Sequence, residues 1–302
     1  MKVMARLWFL AVMILGLAAI AMPEDDVSGK LTIYVVNYPL QYFAQRIAEA
    51  HATVAFPAPP DVDPAFWNPG VEVIAEYQRA DLIILNGANY AKWIDKVTLP
   101  QSKLVDTSAS FKDQYIPLAN RVTHTHGPGG DHAHTGVAST TWLDFHLAAE
   151  QARAIADAMS RKRPALRDIF ESNYKALEDD LLRLDRDLKA IVVSNMHEPL
   201  VASHPVYQYF ARRYGLDIKS VHWEPNEVPT DEQWLELQAI LREHPARWMI
   251  WEGAPEPESA ATLKSLGINS EVFIPQGNTP APGNFLTVMR QNADRLRLVF
   301  SK

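Results

Sequence analysis

ALRDIFESNYKALEDDLLRLDRDLKA, residues 165–190, is the stretch that organises this chain. Leu166, Phe170, Tyr174, Leu177, Leu181, Leu184 and Leu188 recur at spacings of four and three, which is one face of an α-helix. At 1.5 Å per residue the stripe spans roughly 37 Å. Glu178, Asp179, Asp180, Arg183, Asp185 and Arg186 fill the opposite face, as on a helix with one wet side. Pro164 suits the first helical position, where no amide hydrogen is needed. Strand and helix signals alternate before this helix and resume after it, so it reads as a rigid strut between two lobes.

Upstream, Leu31 to Asn37 (LTIYVVN) is a β-branched, nearly continuous apolar run, as expected of a strand buried on both faces. Helical spacing covers Tyr42 to Ala50, and Ala52 to Phe56 is a short strand. A proline-rich loop, PAPPDVDPAFWNP, leads to a helix over Val71 to Tyr77 and a second buried strand, DLIIL, over 81–85. Lys103 to Asp106 supplies a fourth strand. Asp144 caps a helix running to about Arg161. Downstream, strands over Leu200 to His204, Ile218 to Trp223, Trp248 to Glu252 and Val272 to Ile274 alternate with helices over Val206 to Tyr214, Asp231 to Arg242, Glu258 to Leu266 and Phe285 to Phe300. The reading is α/β: two lobes, 28–164 and 191–302, each with a mainly parallel four-stranded sheet and flanking helices, joined by the long helix 165–190.

Composition narrows the function. The 302 residues carry a net charge of -7, the opposite of a nucleic-acid binder. Cysteine is absent, which removes disulfides, thiolate metal sites, a cysteine nucleophile and a lipid-modified cysteine. Residues 1–21, MKVMARLWFLAVMILGLAAIA, have the form of a secretory signal: Lys2 and Arg6, an apolar run, then small-x-small before PEDD. Its removal takes away two bases and no acid, leaving an acidic, exported protein expected in the periplasm. No hydrolase elbow, phosphate-binding glycine loop, dinucleotide fingerprint or H-E-x-x-H occurs, so the chain does not read as an enzyme.

The chemistry gathers in a few places. THTHGPGGDHAH, residues 123–134, puts His124, His126, His132 and His134 within eleven residues. Imidazole is a borderline ligand suited to Zn²⁺, Cu²⁺ or Ni²⁺. Glycine and proline there argue against helix or sheet. His204, in SHPVYQY, ends a predicted strand, and ligands of open α/β sheets lie at the carboxyl ends of strands. His222 with Glu224 (SVHWEP) and Glu252 (MIWEG) sit at two other strand ends. Asp61 and Asp63 lie in the proline-rich loop, where aspartate also serves as a turn former.

Taken together, ADLIILNG with Asn89-Tyr90, the histidine-rich loop, Thr141-Trp142-Leu143-Asp144, the long helix, His204-Pro205-Val206-Tyr207-Gln208-Tyr209 and Met289-Arg290-x-Asn292 resemble the zinc/manganese substrate-binding proteins of bacterial metal-uptake ABC transporters. The resemblance spans nearly all of the mature chain. It implies a monomeric two-lobed periplasmic receptor that carries Zn²⁺, Mn²⁺ or another divalent transition metal to an inner-membrane permease. It also exposes departures. Ala65 follows Pro64 where the family has its first histidine, Thr140 stands at the second, and Ile274 precedes Pro275 in place of an acid. Only His204 matches. Three outcomes stay open: recruited ligands (His204 with loop histidines, Glu252, His222 or Asp63), the loop itself as a metal buffer or chaperone, or a cleft retuned to a non-metal ligand behind Phe66, Trp67, Trp142 and Trp223.

Overall fold

Two four-stranded parallel sheets form the molecule, as the alternating pattern implies. A computed structural model describes residues 29–118, 136–193 and 198–300, together with the backbone of 122–125 and 131–134. The leader, residues 1–21, lies outside the described residues. The first sheet contains β1 (Leu31–Val35), β2 (Ala52–Ala55), β3 (Leu82–Leu85) and β4 (Leu104–Asp106) in the order β2-β1-β3-β4. The second contains β7 (Leu200–Ala202), β8 (Ile218–Ser220), β9 (Trp248–Trp251) and β10 (Asn269–Val272) in the order β10-β9-β7-β8. All neighbours within each sheet are parallel, so every strand delivers its carboxyl end to the same edge.

Helix α4 (Arg167–Val192) is the long strut, entered through a 3-10 turn at Pro164–Leu166. It buries Phe170, Tyr174, Leu177, Leu181, Leu184 and Leu188, the stripe read from spacing. It packs against α1 (Tyr38–Ala48), α3 (Phe145–Lys162) and the final helix α8 (Phe285–Phe300). The final helix therefore does more than close the second lobe. Its Phe285 meets Phe43 edge-on, with ring centroids 5.3 Å apart, and also touches Tyr42 and Phe145. One hydrophobic core runs from the first sheet through these helices into the second half, and a separate cluster around Trp223, Leu237 and Trp251 fills the outer side of the second sheet. No described helix is long and apolar enough to cross a membrane.

Four expectations are corrected. Strand β1 stops at Val35 and α1 begins at Tyr38, earlier than Tyr42, because the Asn37 side chain accepts from the Leu40 amide and Pro39 supplies a preset helical φ. The last strand is Asn269–Val272 rather than Val272–Ile274: it is an edge strand of polar residues, held by register against β9, so it carries no apolar signal. The strand-two loop aside, the strands of the second sheet also end sooner, at Ala202, Ser220 and Trp251. The histidine-rich segment pairs as an antiparallel hairpin of β5 (Val122–Thr125) and β6 (Asp131–His134), with His124 opposite His132. The glycine and proline of the segment therefore do not prevent strand pairing on either side of them. The four remaining α-helices are α2 (Val71–Arg79), α5 (Gln208–Tyr214), closed by left-handed Gly215 at φ 66°, α6 (Asp231–Glu243) and α7 (Pro257–Ser265).

A buried polar network braces the carboxyl edge of the first sheet. Asn86, just past β3, accepts from Asn37 Nδ2 at 3.1 Å and from Gln151 Nε2 at 3.1 Å, while donating to the Ser139 carbonyl at 2.9 Å. Gly87 follows at φ 73°, a conformation that favours glycine, and a Cβ there would lie 1.8 Å from Ser108 Oγ.

Candidate metal centre

Three neighbouring strands of the second sheet each end in a potential ligand. His204 lies two residues beyond β7, Glu224 four beyond β8 and Glu252 one beyond β9. Adjacent parallel strands are about 4.8 Å apart, so side chains leaving their ends on one edge converge. The ladder continues past the formal strand ends to hold them. The Ser203 amide donates to the Ile250 carbonyl at 2.9 Å and the Trp223 amide to the Ser203 carbonyl at 2.7 Å. Pro205 keeps His204 out of helical geometry at the exit.

The result is a compact donor set. His204 Nδ1 lies 3.6 Å from Glu224 Oε1 and 4.0 Å from Glu252 Oε1. One ligand atom from each residue lies within 4.8 Å of the others, the one such group of three among the described residues. Donors bound to a first-row cation at about 2.0–2.2 Å in a tetrahedron sit roughly 3.3–3.6 Å apart, so only a small contraction is needed. Burial raises the Glu252 carboxyl to about 8, and the negative charges of Glu224 and then Asp63 add to the effect. Two carboxylates with a third nearby crowd like charges together, an arrangement that a cation relieves.

The donors form one wall of a cavity of about 570 Å³ whose lining comes from both halves of the chain. From the first half come Asp63, Ala65, Phe66, Tyr90, Thr140 and Trp142. Asp63 is fixed by a tight turn in which its Oδ1 accepts from the Ala65 amide at 2.9 Å. The three departures noted in the sequence, Ala65, Thr140 and Ile274, all line this cavity. Thr140 Oγ1 donates to the Val206 carbonyl at 2.5 Å and so ties the first half to the loop carrying His204. Trp142 Nε1 donates to the Pro275 carbonyl at 2.7 Å, and its ring meets Tyr90 edge-on.

Among the predicted site residues, the structure brings together His204 and Glu252, and places Asp63 on the same cavity. Glu224, which the sequence placed beside His222, is the member of that pair that joins them. His222 is not in the donor group: its ring meets that of His204 edge-on, with centroids 5.9 Å apart, but it lines a separate pocket of about 130 Å³ with Glu227 and Gln233. The reason is local: Val221 and Trp223 still bond to the β7 side of the ladder, and of the two residues that alternate with them, 224 is the one that lines the cavity. Of His124, His126, His132 and His134, His126 and the side chains of the others lie outside the described residues. The aromatic wall is also smaller than expected. Phe66 and Trp142 reach the cavity, whereas Trp223 is 1% exposed in the core against Trp234 and Trp251, and Trp67 packs on Trp93.

The comparisons with known proteins agree with this architecture. The family model described as "ZnuA: Zinc-uptake complex component A periplasmic" matches residues 33–298. The chain is similar to the High-affinity zinc uptake system protein ZnuA of Bacillus subtilis (strain 168), at 23% identity over 298 residues, covering 96% of this chain and 93% of that protein. It is also similar to the Manganese ABC transporter substrate-binding lipoprotein PsaA of Streptococcus mitis, at 24% identity over 321 residues and 98% of each chain. Among solved structures, the Zn(II)-bound ZnuA-like domain of Streptococcus pneumoniae AdcA shares the fold with a TM-score of 0.75 and 22% identity, over 91% of this chain and 100% of that one. With a parallel sheet in each half, one long helix between them and a family match over nearly its whole length, the chain belongs to the ZnuA family of zinc-uptake components.

Proposed function

We propose that this protein is the periplasmic solute-binding component of a divalent-metal ABC uptake system, carrying Zn²⁺ or Mn²⁺ as cargo to an inner-membrane permease. The observation that carries the reading is the convergence of His204, Glu224 and Glu252 from three adjacent strand ends onto a cleft between the two halves. Relatives named as zinc and manganese carriers support it, as does the leader read at residues 1–21. A site with one imidazole and several carboxylates is harder than a histidine-rich one, so its preference for Zn²⁺ over Mn²⁺ is narrow. Release to the permease involves small motions, because Trp142, Thr140 and Tyr38 hydrogen-bond across the two halves.

Proton linkage gives the test a signature. A carboxyl near pKa 8 holds its proton at pH 7, and a cation must displace it. Without metal, the raised pKa favours the folded state fully below the ordinary carboxylate range, and that contribution is lost as pH rises through about 8. Metal affinity runs the other way and climbs with pH over the same interval. Titration calorimetry of the chelator-stripped protein with Zn²⁺, in two buffers of different ionisation enthalpy at pH 7, is expected to show one site and the release of about one proton. Absence of binding at micromolar metal would contradict the function. Binding with no proton release would remove Glu252 from the site.

A further inference from the structure

The three donors occupy only one end of the cavity. A bare first-row cation needs on the order of one water-sized volume, about 30 Å³, whereas the cavity measures about 570 Å³. That is the size range of sites for small organic ligands, roughly 300–1,000 Å³. Phe66, Trp142 and Val206 give it apolar wall, and Lys92 and Arg295 bring positive charge to the same lining.

Two buried amide oxygens point to what fills it. Gln276 is 3% exposed, lines the cavity, and its Oε1 has no hydrogen-bond partner. Its backbone sits at φ 64°, left-handed geometry that costs a non-glycine residue about 1–3 kcal/mol and persists only where its surroundings enforce it. They do so here. The Pro275 carbonyl accepts from Trp142 Nε1 at 2.7 Å, the Gly277 carbonyl accepts from the Tyr38 amide at 3.1 Å, and Asn278 Nδ2 donates to the Pro59 and Val62 carbonyls. A rigid, strained segment thus holds an unsatisfied acceptor on the cavity. Gln208 does the same from the other side: its Nε2 donates to the Pro205 carbonyl at 2.8 Å, while its buried Oε1 lacks a partner. A buried acceptor without a partner costs about 1–3 kcal/mol, so a ligand bringing O–H or N–H donors recovers that loss.

We propose that the cleft takes its cation as a complex with a small organic chelator, the cation resting on His204, Glu224 and Glu252 and the chelator's O–H or N–H groups on Gln276 and Gln208. The chelator class is a compact carboxylate that also carries hydroxyl or amino donors. Its carboxylates face Lys92 and Arg295, and its body lies against Trp142. This rests on the metal-binding reading above and specifies the form in which the metal arrives.

The test compares Zn²⁺ alone, Zn²⁺ with L-histidine and Zn²⁺ with citrate, by titration calorimetry and native mass spectrometry of the whole mature protein. At least one chelator is expected to yield a ternary mass of protein, zinc and chelator, with affinity for the complex at least tenfold tighter than for the bare ion. Gln276→Gly keeps the left-handed backbone and removes the amide. It is expected to lower the chelator's gain at least fivefold while leaving the melting temperature equal or higher, which a purely structural role for the side chain would not produce. If bare Zn²⁺ binds and both chelators only compete for it, with no ternary mass, the chelate proposal is overturned and the metal function stands. An undiminished gain in Gln276→Gly also overturns it. If zinc binds in no form, both readings fall.

Discussion

Replacing His204 with alanine is expected to weaken Zn²⁺ binding by at least about 100-fold. Losing even a residue that only orients a metal ligand typically costs 10–100-fold, and His204 is itself the imidazole of the donor set. The donor group among the described residues holds no second imidazole. His222 is 5.9 Å away between ring centroids and lines its own pocket, and the positions where the family pattern has further donors hold Ala65, Thr140 and Ile274. The two remaining carboxylates would bind a hard cation weakly. Competition titration against a zinc indicator at pH 7.5 reads the effect, with circular dichroism to show that the variant folds. An affinity within threefold of the parent would move the main metal site out of the cleft and onto the histidine-rich hairpin.

The second large effect concerns the joint between the halves. Arg213 on α5 grips Asp185 on α4 with two bonds, Nε to Oδ1 at 2.7 Å and Nη2 to Oδ2 at 2.8 Å, and its Nε also lies 3.6 Å from Asp144, the N-cap of α3. Asp185 is 2% exposed. Burial alone would raise its pKa, but the bonds from Arg213 and the charge of Lys189 overcome that and hold it below the ordinary value. Tyr214 donates to the same carboxylate at 3.2 Å. Arg213→Ala leaves a buried carboxylate short of its principal partner, a loss of about 3–5 kcal/mol. At roughly 2–4 °C per kcal/mol for a protein of this size, the melting temperature falls by roughly 6–20 °C. The sign with pH is fixed. A depressed carboxyl pKa stabilises the fold above the unfolded-state value and loses that contribution as pH falls through the folded-state value. The penalty of Arg213→Ala is therefore larger at pH 7 than near pH 4, and Asp185→Asn added to it recovers part of the loss at pH 7. Denaturant titrations of the single and double variants at both pH values decide it. A loss below 1 kcal/mol, or one independent of pH, would contradict the clamp. Since α5 follows the His204 loop and α3 follows Trp142, this clamp also fixes the distance across the cleft.

Much of this was legible before any coordinates. The stripe from Phe170 to Leu188 has one period and one wet face, so α4 could be read directly. The apolar runs of β3 and β9 could be read because both of their faces are covered, whereas β1, expected to be buried on both faces, leaves Thr32 exposed and Tyr34 half-buried on one of them. Edge strand β10 could not, because Asn269, Ser270 and Glu271 are placed by register and not by burial. The site followed the same division. His204 and Glu252 were accessible through the rule that parallel sheets bind ligands at strand ends. The choice between His222 and Glu224 was not, because Val221 and Trp223 stay paired with β7 and the alternation of side chains treats residues 222 and 224 alike. Gln276 gave no signal at all. A glutamine before a glycine has no pattern of its own, and its left-handed backbone is imposed from afar by Trp142 and Tyr38.

The central claim is that a divalent cation sits at the carboxyl edge of the second sheet. The most direct measurement is a crystal structure of the Zn²⁺-loaded protein with anomalous data on both sides of the zinc edge. The account predicts one dominant peak within about 2.0–2.2 Å of an imidazole nitrogen of His204 and of carboxylate oxygens of Glu224 and Glu252. A dominant peak on the hairpin histidines, with the cleft donors left more than 3 Å from any metal, would contradict it.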